Sequence, residues 1–184
     1  VERKLGLTRA ILEVLAETRH PVSIVTKSAL ILRDLDILAE MAGNHLFHAA
    51  ISITTLNRDL ARRLEPRAAA PQRRLEVVKA LSEAGVAVTV LMAPVIPALT
   101  DHEVESLLEA AANAGAKSAG YVLLRLPREV NPLFQNWLSH HEPGRAAHVM
   151  SLVRQARGGK DYDSRFGGRM RGEGPLGAPV VLPN

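Results

Sequence analysis

The chain has 184 residues, of which 47% are hydrophobic and 23% are charged, and its aromatic residues are limited to three Phe, two Tyr and one Trp. This composition is typical of a globular domain, so it excludes disorder over most of the chain and argues against an aromatic surface for stacking single-stranded bases. The net charge of +4 permits an anionic partner without requiring one, whereas the lack of cysteine excludes disulfides, thiolate zinc sites and cysteine nucleophiles.

The beginning of the chain resembles neither a membrane span nor a signal peptide. No apolar run reaches the roughly 18 residues that cross a bilayer, and the first residues, Val1 to Lys4, lead into an amphipathic pattern. We therefore expect a cytoplasmic protein without a membrane partner. Because the chain starts with Val1 and enters a helical pattern almost at once, we also expect either a piece of a longer protein or a start at a codon other than Met.

The apolar pattern predicts helices and strands in alternation. A helix is expected from Glu2 to Arg19, and Pro21 ends its pattern. The four predicted strands are Val22–Thr26, His48–Thr54, Val86–Ala93 and Ser118–Leu124. The later predicted helices are Leu30–Met41 with a start near Asp34, Arg58–Leu64, Gln72–Ala84, Glu103–Ala114 with Thr100 or Asp101 as its cap, Pro132–His140 and Ala146–Ala156.

Four strands separated by helices predict an α/β fold with a parallel sheet, because βα units in series connect through right-handed crossovers. The spacing alone does not decide between an open sheet and an arc of a barrel. Residues 1–157 are expected to form this single domain. Residues 158–184 are rich in glycine, proline and basic residues, so we expect an extended or disordered C-terminal tail there.

Polar residues follow the first two predicted strands, at the sheet edge where parallel α/β proteins place their working residues. Lys27 follows the first strand and Ser52 lies near the end of the second. An ammonium group beside a hydroxyl suits a carboxylate or a phosphate. Position alone favours the simpler interpretation, in which the lysine is solvated and the serine fills a small gap.

The third predicted strand ends at Ala93, Pro94 and Val95. Its prolines remove backbone donors and stiffen the loop, so this segment could press against a flat ring such as adenine. A simple strand stop explains the same residues.

A cluster of arginines surrounds the break between the predicted helices Arg58–Leu64 and Gln72–Ala84: Arg62, Arg63, Arg67, Arg73 and Arg74. Such a cluster is typical of a solvated face, and its functional interpretation is an anion clamp with Arg74 best placed. Glu65 and Pro66 are interpreted as a structural turn. The histidines lack the spacing of metal ligands, so no metal ligand is expected in this chain.

Several motifs in order along the chain resemble one family. They are Val25–Ser28, Leu32–Leu38, Ile51–Leu56, Leu64–Arg67, Met92–Pro97, Tyr121–Pro127 and the stretch Arg154–Asp163. Together they resemble the radical S-adenosylmethionine (SAM) superfamily and, within it, the spore photoproduct lyase-like branch, also called DNA repair photolyases. The resemblance extends over nearly the whole chain.

This resemblance implies a TIM-barrel-like partial barrel of six βα units, of which the chain would supply the last four. The family's CxxxCxxC loop, which binds a [4Fe–4S] cluster next to SAM, has no counterpart in a chain without cysteine. Reductive cleavage of SAM to a 5′-deoxyadenosyl radical, with DNA photoproduct repair as the lyase reaction and DNA or another nucleic acid as the partner, is therefore expected of a longer parent.

The resemblance also assigns cofactor-binding residues. Lys27 and Ser52 match positions that contact the amino-acid end of SAM, and the segment containing Ala93, Pro94 and Val95 matches the strand that lines the adenine pocket. Arg74 matches a basic position on the preceding helix.

Two other functions remain open at this point. The chain could be a non-catalytic binding module with a residual anion or SAM cleft, or an aldolase-like barrel enzyme that uses Lys27 as a Schiff-base amine. Because an arc of four units leaves sheet edges uncovered, we also expect aggregation or dimerisation.

Overall fold

The computed structural model describes residues 2–162, and its centre is one sheet of four parallel strands. The strands are β1 (Val22–Thr26), β2 (Phe47–Ser52), β3 (Ala87–Val95) and β4 (Ser118–Leu123), and they lie side by side in chain order. A doubly wound sheet reverses its strand order, whereas a barrel adds each strand to the same side. The unbroken order confirms the α/β fold as a partial βα barrel.

Helices connect the strands and follow the last one. They are α1 (Glu2–Leu5), α2 (Leu7–Glu17), α3 (Leu35–Gly43), α4 (Arg58–Leu64), α5 (Pro71–Glu83), α6 (Val104–Asn113), α7 (Val130–His141) and α8 (Ala146–Gln155). Short 3₁₀ helices, Ala29–Asp34 and Asp101–Glu103, precede α3 and α6. None of the helices described between residues 2 and 162 has the length and apolar character needed to cross a bilayer.

Two details of the predicted helices are wrong, and one start is confirmed. The first helix is not continuous, because Gly6 adopts a left-handed conformation (φ 61°) that separates α1 from α2. The helix expected to start near Asp34 does so, with α3 beginning at Leu35, and the 3₁₀ helix before it has its Leu30 N–H donating to Ser28 Oγ at 3.1 Å. Thr100 does not cap the following helix, since its Oγ1 accepts the Ile96 N–H at 2.8 Å instead.

The second and third strands end at different residues than predicted. β2 stops at Ser52 and not at Thr54, although the Ile53 N–H still donates to Leu91 O at 2.9 Å. β3 continues to Val95, beyond Pro94, because the pairing with β4 shifts register between Met92 and Val95. Such an irregularity allows a residue without an N–H inside a strand.

The two faces of the sheet differ in chemistry. Side chains alternate along a strand, and the face toward the helices is apolar. Its fully buried members include Ala49, Val88 and Val90, which pack in the cluster that also contains Leu38 and Leu81. A second cluster joins the residues after β4 to α7 and α8; its members include Leu126, Leu138 and Val149.

The opposite face carries small and polar residues. On it, Thr89 Oγ1 lies 2.9 Å from His48 Nε2 and 2.6 Å from Ser118 Oγ. This polar face ends, at the carboxyl ends of β1 and β2, in the residues described below. The sheet thus buries its apolar face under helices and leaves its polar face toward the inside of the arc.

The predicted tail, residues 158–184, lies largely outside the described residues, so the boundary after residue 157 stays a prediction. Near that boundary, Asp161 accepts hydrogen bonds from Arg154 Nε at 2.6 Å and Asn131 Nδ2 at 2.9 Å. These bonds connect the segment after α8 to α7 and α8.

Candidate functional site

The carboxyl ends of β1 and β2 bring Lys27 and Ser52 next to each other. Thr26, the last residue of β1, pairs with Ile51 of β2, so the following residues, Lys27 and Ser52, are neighbours across the strand pair. The Lys27 side chain is 37% exposed and can reach a ligand, whereas Ser52 is buried at 4% exposure. The juxtaposition expected from the sequence is therefore present.

Glu65 lies at the centre of this edge. It directly follows α4, and its Oε1 accepts hydrogen bonds from Lys27 Nζ and, at 3.0 Å, from Thr54 Oγ1. Its Oε2 accepts from Arg74 Nη2 at 2.5 Å. One carboxylate thus joins a residue just after β1, a residue just after β2 and a residue of α5.

Arg74 is not an exposed anion clamp. Its side chain is 2% exposed, and three of its nitrogens donate to protein oxygens. Nε donates to Ala69 O at 2.7 Å, Nη1 to Ser52 O at 2.9 Å and Nη2 to Glu65. The exposed arginines of the predicted cluster lie elsewhere on the surface, so Arg74 differs from them by burial and by its bonds.

Two hydroxyl groups, one at the last residue of β2 and one just after the strand, share an acceptor on β3. Ser52 Oγ and Thr54 Oγ1 each lie 3.3 Å from Ala93 O on β3. Because Thr54 also contacts Glu65, the polar contacts run without a gap from Lys27 to Ser52. We call Lys27, Ser52, Thr54, Glu65 and Arg74 the strand-end cluster.

The strand-end cluster carries two cations and one carboxylate. Partial burial of Glu65 acts to raise its pKa, but hydrogen bonds from Lys27 and Arg74, together with their charges, outweigh this effect. The pKa of Glu65 therefore lies below its ordinary value, and the group is ionised at neutral pH. The net charge of the cluster is then +1, which complements one carboxylate.

The residues predicted to line an adenine pocket differ in how far they are buried. Ala93 and Pro94 are half-buried at the end of β3, and Ala93 O faces the hydroxyls of the strand-end cluster. Val95 is only 7% exposed and packs in the main core. Ala93 and Pro94 are thus the members of this segment that adjoin the cluster.

Sequence reasoning missed Glu65 as a member of the site. It interpreted Glu65 as part of a turn, and the turn is real, but the side chain points into the cluster and not to solvent. One signal was present: Glu65 is the lone acid among Arg62, Arg63, Arg67, Arg73 and Arg74. A single acidic residue within a strongly basic segment indicates that it forms a specific ion pair.

Comparisons with known proteins match a large part of the chain. The family model described as the radical SAM superfamily matches residues 4–111. An uncharacterized protein of Mycobacterium tuberculosis is 33% identical over 156 residues, which cover 84% of this chain and 46% of the relative. An uncharacterized protein of Methanocaldococcus jannaschii is 31% identical over 103 residues, or 56% of this chain and 38% of the relative.

The fold has a counterpart among solved structures. The crystal structure of Streptococcus suis SuiB bound to S-adenosylmethionine superposes with a TM-score of 0.52 at 14% identity, covering 73% of this chain and 32% of SuiB. At this identity the match shows a common fold. The chain spans about half the length of the mycobacterial relative, at 46%.

Proposed function

The chain belongs to the radical SAM superfamily, and from that premise we propose that its strand-end cluster binds the amino-acid end of SAM. The observation that carries this proposal is the Lys27 ammonium, which lies beside Ser52 and within a cluster of net charge +1. Ligands of open parallel sheets bind outside the carboxyl ends of the strands, and a hydrogen bond between an ammonium group and a carboxylate is stronger than one between neutral groups.

Lys27 retains the capacity to bind a ligand while it contacts Glu65. A lysine ammonium has three N–H donors, and the structure shows Glu65 as a partner of one of them. Since the side chain is 37% exposed, the remaining donors can reach a carboxylate outside the protein. Ser52 contributes by a different route: its hydroxyl donates weakly, at 3.3 Å, to Ala93 O and can rotate toward a ligand.

We further propose that Ala93 and Pro94 form the wall against which adenine lies. Both are half-buried, and the proline ring offers a flat apolar surface without a backbone donor. Val95 supports this wall from the core. The half-buried state of Ala93 and Pro94, against 7% exposure for Val95, supports this division of roles.

The residues of this chain do not fit the [4Fe–4S] cluster that the family implies. Such clusters are bound by cysteine thiolates, and the sequence has none. We propose that the ligands come from polypeptide outside these 184 residues, since the matched segment makes up only 46% of the mycobacterial relative. SAM supplies radical chemistry when it is bound beside such a cluster, and the part of this chain is to bind and orient SAM.

The spore photoproduct lyase-like branch, with repair of DNA photoproducts, is our proposal for the whole protein. It rests on the order of the motifs Val25–Ser28, Ile51–Leu56 and Met92–Pro97. A binding module without catalysis would share the same SAM cleft. The aldolase alternative has less support, because the nitrogen that would attack a carbonyl group is engaged by the Glu65 carboxylate.

Titration calorimetry with S-adenosylhomocysteine tests the proposed cleft. We expect Lys27→Gln to lower the affinity by about tenfold or more, because a hydrogen bond to a charged group contributes roughly 1.5–3 kcal/mol. Ser52→Ala should lower the affinity less, since it removes a neutral hydroxyl. Lys79→Gln, at an exposed position of α5, removes the same charge outside the cluster and should leave the affinity unchanged. Equal affinities in the Lys27→Gln variant and the unaltered chain would refute the assignment.

A further inference from the structure

We infer that Glu65 and Arg74 are positioning residues that hold the Lys27 ammonium at the edge of the sheet and match the charge of the site to a single carboxylate. This inference rests on the proposed function, and it adds two residues that act through Lys27. It differs from the sequence-based assignment of Arg74, which placed that guanidinium on the ligand itself.

Burial and bonding support the role of Arg74. The guanidinium has almost no contact with solvent, at 2% exposure, and its Nε, Nη1 and Nη2 already donate to protein oxygens. A ligand carboxylate has no access to a guanidinium that is enclosed to this degree. The same bonds tie Glu65 to the end of β2 through Ser52 O, so Arg74 fixes the carboxylate and not the ligand.

The position of Glu65 supports its role in orienting Lys27. A free lysine side chain samples many rotamers, and its ordering opposes ligand binding. Glu65 is 14% exposed and is held by Arg74 and Thr54, so it presents a fixed acceptor to the ammonium. An ammonium that is already oriented loses less conformational freedom when a ligand binds.

The charge of Glu65 sets the class of anion. Lys27 and Arg74 alone would present two positive charges, which suits a phosphate dianion. The ionised Glu65 lowers the sum to +1, which one carboxylate neutralises. The site should therefore prefer the carboxylate of an amino acid over inorganic phosphate.

The first test uses the ligand-free chain and observes Lys27 directly. In ¹H–¹⁵N correlation spectra of lysine ammonium groups, a fixed ion pair slows hydrogen exchange, so we expect a Lys27 Nζ signal that is absent for exposed lysines such as Lys79. Lys27→Arg assigns the signal. Glu65→Gln should abolish it, whereas Glu76→Gln, which removes an exposed carboxylate on α5, should retain it.

The second test measures selectivity by calorimetry with S-adenosylhomocysteine and inorganic phosphate. Removal of one unit charge a few ångström from the anion should shift the ratio of the two affinities toward phosphate by at least about tenfold in Glu65→Gln. If this variant does not fold, Glu65→Asp serves in both tests, because it keeps the charge but withdraws the carboxylate from Lys27; it should weaken the Lys27 signal without a gain in phosphate affinity.

The outcomes separate this inference from the proposed function. A Lys27 signal that persists in Glu65→Gln, or an unchanged ratio of affinities, overturns the inference. If the unaltered chain does not bind S-adenosylhomocysteine, the proposed function fails, and the Lys27 spectrum together with phosphate binding still decides whether Glu65 positions the ammonium and excludes phosphate.

Discussion

A single carboxylate, Glu65, lies between two cations at the functional edge of the sheet. Because the pKa of Glu65 is lower in the folded chain than in the unfolded chain, folding releases a proton from this group at mildly acidic pH. The resulting stability is fully present at pH values above the pKa that Glu65 has in the unfolded chain. This stability is lost as the pH falls through the pKa that Glu65 has in the folded chain.

We expect Glu65→Gln to lower the free energy of unfolding by roughly 3–5 kcal/mol at pH 7, because it leaves the buried Arg74 without its counter-ion. The difference in the free energy of unfolding between the variant and the unaltered chain should shrink as the pH falls below the ordinary pKa of a carboxyl group, because Glu65 itself then becomes protonated. Urea unfolding at a series of pH values measures both effects.

Glu76→Gln provides the matched control for this pH dependence. Glu76 pairs with Arg73 on the exposed side of α5, where both side chains are about half exposed, at 51% and 54%. Such surface pairs contribute little, so a change within about 0.5 kcal/mol is expected at every pH. If the free energy of unfolding of Glu65→Gln differs from that of the unaltered chain by the same amount at neutral and at acidic pH, Glu65 is not ionised in the folded chain.

At the scale of an element, β1 is an edge strand whose one described partner is β2. The Val25 side chain is 65% exposed, and Leu7, Ile11 and Val14 of α2 are also exposed. A cavity of about 280 Å³ opens beside the strand, lined in part by Val25 and Thr26. Unpaired backbone groups next to exposed apolar side chains form a template for another strand.

We therefore expect the 184-residue chain to self-associate, and Val25→Lys to reduce that association. A charged side chain on an edge strand opposes pairing with a second strand. Sedimentation velocity over a range of concentrations measures the effect. Val130→Lys adds the same charge at an exposed position of α7 and should leave the association unchanged. If both variants associate like the unaltered chain, the β1 edge is not the contact.

For the whole molecule, the distribution of charge bears on the proposed nucleic-acid partner. The sequence has a net charge of +4, and Arg58, Arg62 and Arg67 are exposed around α4 and the turn that follows it. Neighbouring cations of this kind suit the phosphate backbone, which is recognised without regard to base sequence. The structure brings these arginines to the surface, while it buries Arg74.

We expect duplex DNA to bind the chain weakly and with a strong dependence on salt, because counterions are released from the phosphates. The double variant Arg58→Glu and Arg62→Glu should reduce both the affinity and the salt slope in fluorescence anisotropy titrations. Arg19→Glu with Arg145→Glu gives the same change in net charge at exposed positions elsewhere. Equal losses in the two double variants would show that only the net charge matters.

The sequence by itself determined the fold class and most of the elements. Strand β1 was predicted at Val22–Thr26 and is observed there, because Pro21 and the apolar alternation fix both of its ends locally. The placement of Lys27 and Ser52 at one edge also followed from the sequence, since parallel strands align their carboxyl ends. The break at Gly6 was missed because a glycine inside a helical pattern has no local partner that reveals its conformation.

Only the tertiary structure decided which charged residues form the site. Glu65 and Lys27 are 38 positions apart, and Arg74 differs from its exposed neighbours by the carbonyl groups that surround it, not by any local pattern. An ion pair of this kind depends on how α4 and α5 pack against the sheet. The physical reason is the separation in sequence of the residues that interact. Helices and strands form through hydrogen bonds and apolar patterns that can be read locally, whereas burial and charge pairing arise between segments distant in sequence.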